Sequence, residues 1–334
     1  MGQQVGELKR NSDAQRSALA QMLARRQGGS LIFGFGLPIL IVVLAVGLGI
    51  AQPRFATGSN LQNLARQASV LAIMATGQAF PILVGGLDIS VGAQIAVVSI
   101  VAAMASKQIG IVPAYFLGVL VASIVGLANG LLISRLRLSP IIVTLGALSI
   151  LRGLALVITQ GKTVRDLPDD YANLGTGFIG PIATPTVIAA LVAVVGYILL
   201  TRTRFGRYVY AIGGNEEAAR LSGIDVVKYK MLAYVVCAAA TGIAGVVLSS
   251  RVGSGEPNLG TNMELDAIAS VFIGGVAWGG GEGSLIGVIL GVTLYSVLSN
   301  GLNLLAVPSY IQSMIIGATI ILAVGAASLQ QREN

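Results

Sequence analysis

The amino-acid sequence predicts an all-α polytopic membrane protein of about ten transmembrane helices. Of its 334 residues, 54% are hydrophobic and only 10% charged, where a water-soluble domain carries roughly 25% charged residues. Mean hydropathy is +0.83. Glycine is abundant at 44 residues and aromatics make up only 5%; small residues let helix backbones approach closely in lipid. At ~20 residues per span, the chain holds about ten spans and no sizeable soluble domain.

The elements follow in order. Segment 1–30 is polar and carries Lys9, Arg10, Arg16, Arg25 and Arg26, with Leu19, Met22 and Leu23 as one apolar face of a short surface helix. Leu31–Ala51 then runs 21 residues without a polar side chain. That exceeds the apolar region of a signal peptide, so it reads as a retained first span. Further apolar stretches lie at 64–84, 92–106, 111–133, 140–158, 183–201, 231–250, 264–278, 284–304 and 309–327. The membrane domain is therefore 31–327, with a cytoplasmic loop at 202–230 and a tail at 328–334.

An even number of spans puts both termini on one side. With the N-terminus in the cytoplasm, 14 of the 21 Lys and Arg fall in cytoplasmic segments, six of them in 202–230. This is the positive-inside bias, and it places both termini in the cytoplasm. Leu87-Asp88 opens the third span and Leu265-Asp266 the eighth; Asn129-Gly130-Leu131 ends the fourth and Asn300-Gly301-Leu302 the ninth. Five spans separate each pair, and an odd number inverts the second copy, which is the inverted-repeat plan of transporters.

Several chemistries are excluded. The chain has no His, which removes His-based triads and ligands, and its one Cys, Cys237, can form neither an intrachain disulfide nor a Cys metal cluster. No metal site is expected. Gly161-Lys162-Thr163 lacks the earlier Gly of a phosphate loop, since position 156 is Leu. Gly175-Thr176-Gly177-Phe178-Ile179-Gly180 matches a dinucleotide fingerprint literally, but Pro181 follows and no strand–turn–helix unit surrounds it. The basic residues are scattered between apolar runs, so the net charge of +7 reflects membrane topology rather than nucleic-acid binding.

Candidate pathway residues are polar groups set in apolar surroundings. Gly85-Gly86-Leu87-Asp88-Ile89-Ser90-Val91-Gly92 combines a helix-breaking glycine pair with an acid that is costly near lipid. It is either a broken helix facing a pathway or a turn whose Asp88 caps the next helix. Arg152, Glu264 and Asp266 need partners if buried, and an ion pair of Arg152 with one of the acids is the leading structural expectation. Gln67, Gln78, Gln94, Asn129, Asn300, Asn303 and Gln312 are amides that either line a path for a hydroxyl-rich solute or bond between helices. Gly279, Gly283, Gly287 and Gly291 recur every fourth residue and predict one smooth helix face for close packing.

The most informative segment is Gly206–Gly223. Asn215 is a good N-cap, Glu216 and Glu217 complement the helix start, Arg220 its end, and Gly223 can stop it. Ala218, Ala219 and Leu221 can fit a shallow groove. A helix this short is unstable alone, so it docks on a partner, on the membrane or on its own chain.

This loop, with its Glu217-Ala218-Ala219 pattern, resembles the coupling loop of bacterial ABC-importer permeases. The stretches 85–92, Glu-Leu-Asp-Ala-Ile-Ala (264–269) and Asn-Gly-Leu-Asn-Leu-Leu (300–305) are similar to the ribose/xylose/arabinose-type monosaccharide permeases, and most similar to the ribose-type members. The resemblance implies a permease that transports without covalent chemistry and binds no cofactor. It also implies a second copy of the chain, an ATPase subunit that holds ATP and Mg, and a periplasmic or extracellular sugar-binding protein. The rival from the residues is a proton-coupled secondary transporter using Asp88, Glu264 or Asp266. An intramembrane enzyme has no paired nucleophile and base to support it.

Overall fold

A computed structural model gives the architecture of residues 36–312 together with 314, 315, 317 and 318. Segment 1–30, the start of the first apolar stretch, most of the tenth and the tail 328–334 lie outside the described residues.

Helix α1 is Gly36–Ala51. A 3-10 turn at Pro53–Ala56 leads into α2 (Gly58–Leu83), followed by α3 (Val91–Ile109), α4 (Ile111–Ser134) and α5 (Pro140–Thr159). A second 3-10 turn (Asp169–Ala172), the short α6 (Asn173–Thr176) and a two-stranded hairpin, β1 (Phe178–Ile179) with β2 (Ile182–Ala183), precede α7 (Thr184–Arg202). Then come α8 (Arg204–Gly214), α9 (Glu216–Leu221), α10 (Val226–Val252), α11 (Met263–Ile273) and α12 (Leu285–Leu304). The literal dinucleotide fingerprint thus ends α6 and forms a hairpin.

Every predicted span from 64 to 304 contains a helix. Six are long and apolar enough to cross a membrane: α3, α4, α5, α7, α10 and α12. Their outward faces are apolar, with Phe116 on α4, Ile142, Ile150 and Val157 on α5 and Leu191 on α7 all exposed. Such a surface suits hydrocarbon, and helices satisfy their own backbone there. The chain is an all-α, multi-pass membrane protein.

Helices α2, α3 and α10 hold the core. α10 packs along α4, α2 and α3, while α2 packs along α12, α7 and α11. Small residues set the closest approach. A Cβ at Gly130 would meet the Met231 backbone at 2.9 Å, and one at Gly242 would meet Val119 Cα at 2.8 Å. Gly118, Ala122, Gly126 and Gly130 recur every fourth residue on α4 and form this face against α10.

Two predictions require correction. The eighth stretch is no full span: α11 has 11 residues and ends at Ile273, and 274–284 is irregular. Gly275, Gly280, Gly281 and Gly283 take positive φ there, which ends the helix. The four-glycine helix face therefore does not exist as such. Gly279 and Gly283 precede α12, and only Gly287 and Gly291 lie on it. Those two do meet backbone closely, at the carbonyls of Gly274 and Ser270 respectively.

Candidate functional site

The polar loop 202–230 folds into α8 and α9. Thr203 caps α8 by accepting from Gly206 N at 3.3 Å. Asn215 Oδ1 accepts from Ala218 N at 2.9 Å and so caps α9 as its sequence predicts. Arg220 lies 3.1 Å from Glu216 and 3.2 Å from Glu217. Lys230 of α10 donates to Glu216 Oε2 at 2.5 Å and ties the start of α9 to a spanning helix. Burial raises the Glu216 pKa, but the hydrogen bond and charge of Lys230, with Arg220 and Arg137, outweigh it and hold the carboxyl below its usual range.

Gly223 closes the motif at φ +81, where a side chain would be strained. Asn215, Glu217, Ala218, Arg220 and Leu221 are exposed, and Leu221 is 82% exposed, a large apolar side chain left in the open. Ala219 is buried against its own chain, so it is not part of the outward face. The helix docks on its own chain through one side and leaves the other uncovered.

Behind α9, three backbone segments meet. Gly281 N donates to Leu83 O at 2.9 Å. Gly213 lies against both, and a Cβ there would strike the Leu83 carbonyl and the Gly281 amide. Tyr210 donates to Gly283 O at 2.9 Å. The end of α8 thus abuts the end of α2 and the irregular segment 274–284, and α2 leads directly into the second irregular segment, 84–90.

At the first of these, Gly85 takes φ +80 and a Cβ at Gly86 would collide with the Tyr234 hydroxyl. Asp88 Oδ1 accepts from Ser90 N at 2.9 Å and Ser90 Oγ at 2.5 Å. Ser90 Oγ in turn accepts from Gln94 at 2.9 Å and Asn129 at 3.0 Å. All four residues are buried, and Asp88 is 0% exposed. Asp88 anchors a turn that precedes α3, and Ser90 joins α4 to it. Oδ2 of Asp88 has no hydrogen-bond partner.

The other candidates are also engaged between helices. Tyr295 donates to Asp266 Oδ1 at 2.5 Å. Asn300 and Asn60 exchange amide bonds at 2.9 and 3.1 Å, and Asn303 accepts from Gln312 at 3.0 Å. Cys237 donates to Gln78 at 3.3 Å. Glu264 packs its carboxylate on Gly92, where a Cβ would collide with it, so the 85–92 and 264–269 motifs touch. The ion pair expected of Arg152 is not formed. Its guanidinium donates to the carbonyls of Pro257 and Leu259 at 3.3 and 3.0 Å, because segment 253–262 presents free carbonyls beside α5. The segment's glycines, Gly253, Gly255 and Gly260, with Pro257, were the available signal.

Among the described residues, no three His, Cys, Asp or Glu side chains come together in a way that could hold a metal ion. The groups present bind helices and backbone and offer no nucleophile paired with a base. What they can do is move as linked rigid pieces.

Residues 60–324 match the family described as branched-chain amino acid transport system / permease component. The chain belongs to this permease family. It is 40% identical over 292 residues to the ribose import permease protein of Bacillus subtilis, covering 86% of this chain and 89% of that one. The D-allose transport system permease protein of Escherichia coli K12 is 36% identical over 288 residues, with 86% and 88% covered. The L-arabinose ABC transporter permease protein of Azospirillum brasilense is 34% identical over 322 residues, covering 96% and 95%. No solved structure matches. The family match begins two residues into α2 and spans both motif regions and the α8–α9 loop of the permease.

Proposed function

We propose that this permease is the membrane subunit of an ATP-driven monosaccharide importer in a bacterial inner membrane, with ribose-like pentoses as its substrates. Two copies of the chain form the path and alternate between outward- and inward-open states. A partner ATPase holds ATP and Mg and supplies the energy. A sugar-binding protein delivers the substrate from outside.

The observation that carries this reading is α9: a capped helix with an uncovered face, in a polar, basic loop between spans, in a chain related to ribose, allose and arabinose permeases. The charge count supports a cytoplasmic position for that loop and for both termini. The helix pairings support an inverted repeat. α10 with α3 and α4 corresponds to α2 with α11 and α12 once five spans are added to α3 and α4 and subtracted from α10.

The mechanism follows from the connections. An ATPase that grips α9 moves α8, whose end abuts Leu83 at the end of α2 and Gly281 in the irregular segment before α12. A displacement of a few ångströms at the loop therefore reaches both halves of the bundle through backbone contacts that have no soft side chain to absorb it.

The test is co-purification. Co-expressed ATPase should be retained by the unmodified chain and lost with Glu217→Arg or Ala218→Trp, while membrane levels hold. Full retention by both variants would refute α9 as the contact.

A further inference from the structure

Many of the candidate acids and amides make contacts between helices or within turns, and a further set of polar groups lies in segment 253–262. Segment 253–262 follows α10, a helix of 27 residues, about 40 Å long and enough to cross the bilayer. The chain does not start the next span from that far end. It turns back in irregular form and descends along α3. Gly255 pairs with Val164 through backbone bonds of 2.8 and 3.0 Å. Glu256 N donates to Ser99 Oγ at 3.2 Å, and Ser99 is the ninth residue of the 19 in α3. A Cβ at Gly260 would meet the Gly92 carbonyl at 2.7 Å, one turn from the start of α3. The segment therefore lies at the depth of the spanning helices, roughly 12 Å along α3 at one end and near its start at the other.

Irregular backbone at that depth is tolerated only where it is buried in protein or lines a water-filled cavity. Here Asn258, Thr261 and Asn262 are exposed on the single chain. Arg152 holds the carbonyls on either side of Asn258, those of Pro257 and Leu259. Asn258 O accepts from Thr261 Oγ1 at 2.6 Å. Asn262 sits at φ +67, where it starts α11 without using its side chain as a cap. The backbone is thus fixed, while the Asn258 and Asn262 amides have no hydrogen-bond partner among the described residues. Two unpaired amides held by a buried clamp would be costly against hydrocarbon.

We infer that Asn258, Thr261 and Asn262 form a sugar-contacting wall of the translocation path. It is a neutral set of donors and acceptors suited to a polyhydroxylated, uncharged solute. This deepens the permease reading and rests on it. Amides exchange hydrogen bonds with hydroxyls without stacking or charge, so the sugar is held weakly and released.

Cysteine labelling in the assembled, reconstituted transporter tests the inference, with ribose as the probe sugar. Cys237 is 0% exposed, so the unmodified chain gives little background. Asn258→Cys should react with a water-soluble methanethiosulfonate at least about tenfold faster than Ile150→Cys, an exposed apolar position on α5. Modification at 258 should abolish ATP-driven ribose uptake. Asn262→Gly keeps the left-handed backbone and deletes the amide; it should lower uptake about three- to tenfold, the scale of one lost neutral hydrogen bond, with ATPase retention unchanged. A 258 thiol no faster than the reference, or one whose modification leaves uptake intact, overturns the inference, as does wild-type uptake by Asn262→Gly. Failure of the permease reading itself is distinct: the unmodified chain would then show no ATP-dependent uptake.

Discussion

Gly281 donates its amide to the Leu83 carbonyl at 2.9 Å and joins the end of α2 to the irregular segment before α12, with Gly213 of α8 seated against both. This contact has no space for a side chain. Gly213→Ala should lower sugar uptake by about tenfold or more, the scale of an overpacking cost near 1–3 kcal/mol, whereas the adjacent Gly214 has open space and should accept Ala. Uptake and ATP hydrolysis measured side by side check this. The expected signature is hydrolysis that continues without transport.

Charge reversal at Glu217 and a bulky side chain at Ala218 should each release the ATPase, because both residues lie on the uncovered face of α9. Leu221→Asp should act similarly by removing an apolar anchor. Substitution of Ala219 by Trp would instead disturb α9's seat on its own chain, and membrane levels should fall with it. Quantitative pull-down of the ATPase, normalised to permease in the membrane, separates the two classes.

The Glu216–Lys230 link sets a pH expectation. The folded pKa of Glu216 lies below its ordinary value, so the link's contribution is complete above about pH 4.3 and is lost as pH falls through the folded value. Between about pH 6 and pH 8, ATPase retention should therefore not vary through this group. Glu216→Gln should weaken the tie wherever the carboxyl is ionised, by no more than about 1 kcal/mol for a part-exposed pair. Retention curves for the two proteins should run parallel over that range.

Asp88→Ala should destabilise the permease, since it removes the acceptor for Ser90 N and Oγ in a fully buried turn. An unsatisfied buried donor costs about 1–3 kcal/mol. Asp88→Asn keeps one acceptor oxygen and should cost less. Thermal unfolding in detergent, followed by the monodisperse fraction, orders the variants as wild type, Asn, Ala. Equal stability of all three would remove the structural role assigned to Asp88.

Arg152→Gln should loosen segment 253–262 by giving up its charged donors to Pro257 and Leu259. The loss should appear as faster proteolysis near 255–262 and lower uptake. Arg152→Lys should recover part of both, as a single ammonium can reach one carbonyl.

Helix positions were legible in the sequence because apolar runs and membrane thickness leave few choices, and the cap of α9 was legible because Asn215, Glu216 and Arg220 act locally. What failed was anything decided by a distant partner. Gly279 and Gly283 fit a helical spacing, but they sit in a stretch whose neighbours Gly280 and Gly281 turn against Leu83. Arg152 met carbonyls rather than an acid, because a broken span carries free acceptors that no charge count reveals. Asn129 and Gln94 both donate to Ser90 Oγ, a shared partner that their spacing in sequence does not name. Asn258 and Asn262 looked like ordinary loop residues until the chain was seen to turn back along α3.

The central claim is that an ATPase drives sugar through this permease by way of α9. Ribose uptake into proteoliposomes containing the permease, its ATPase and the binding protein, with the proton gradient collapsed by an uncoupler, tests it most directly. Uptake that requires ATP, persists with the uncoupler and disappears with Glu217→Arg is the expected result. Uptake that stops with the uncoupler while ATP remains, or that proceeds without ATP, would contradict the account.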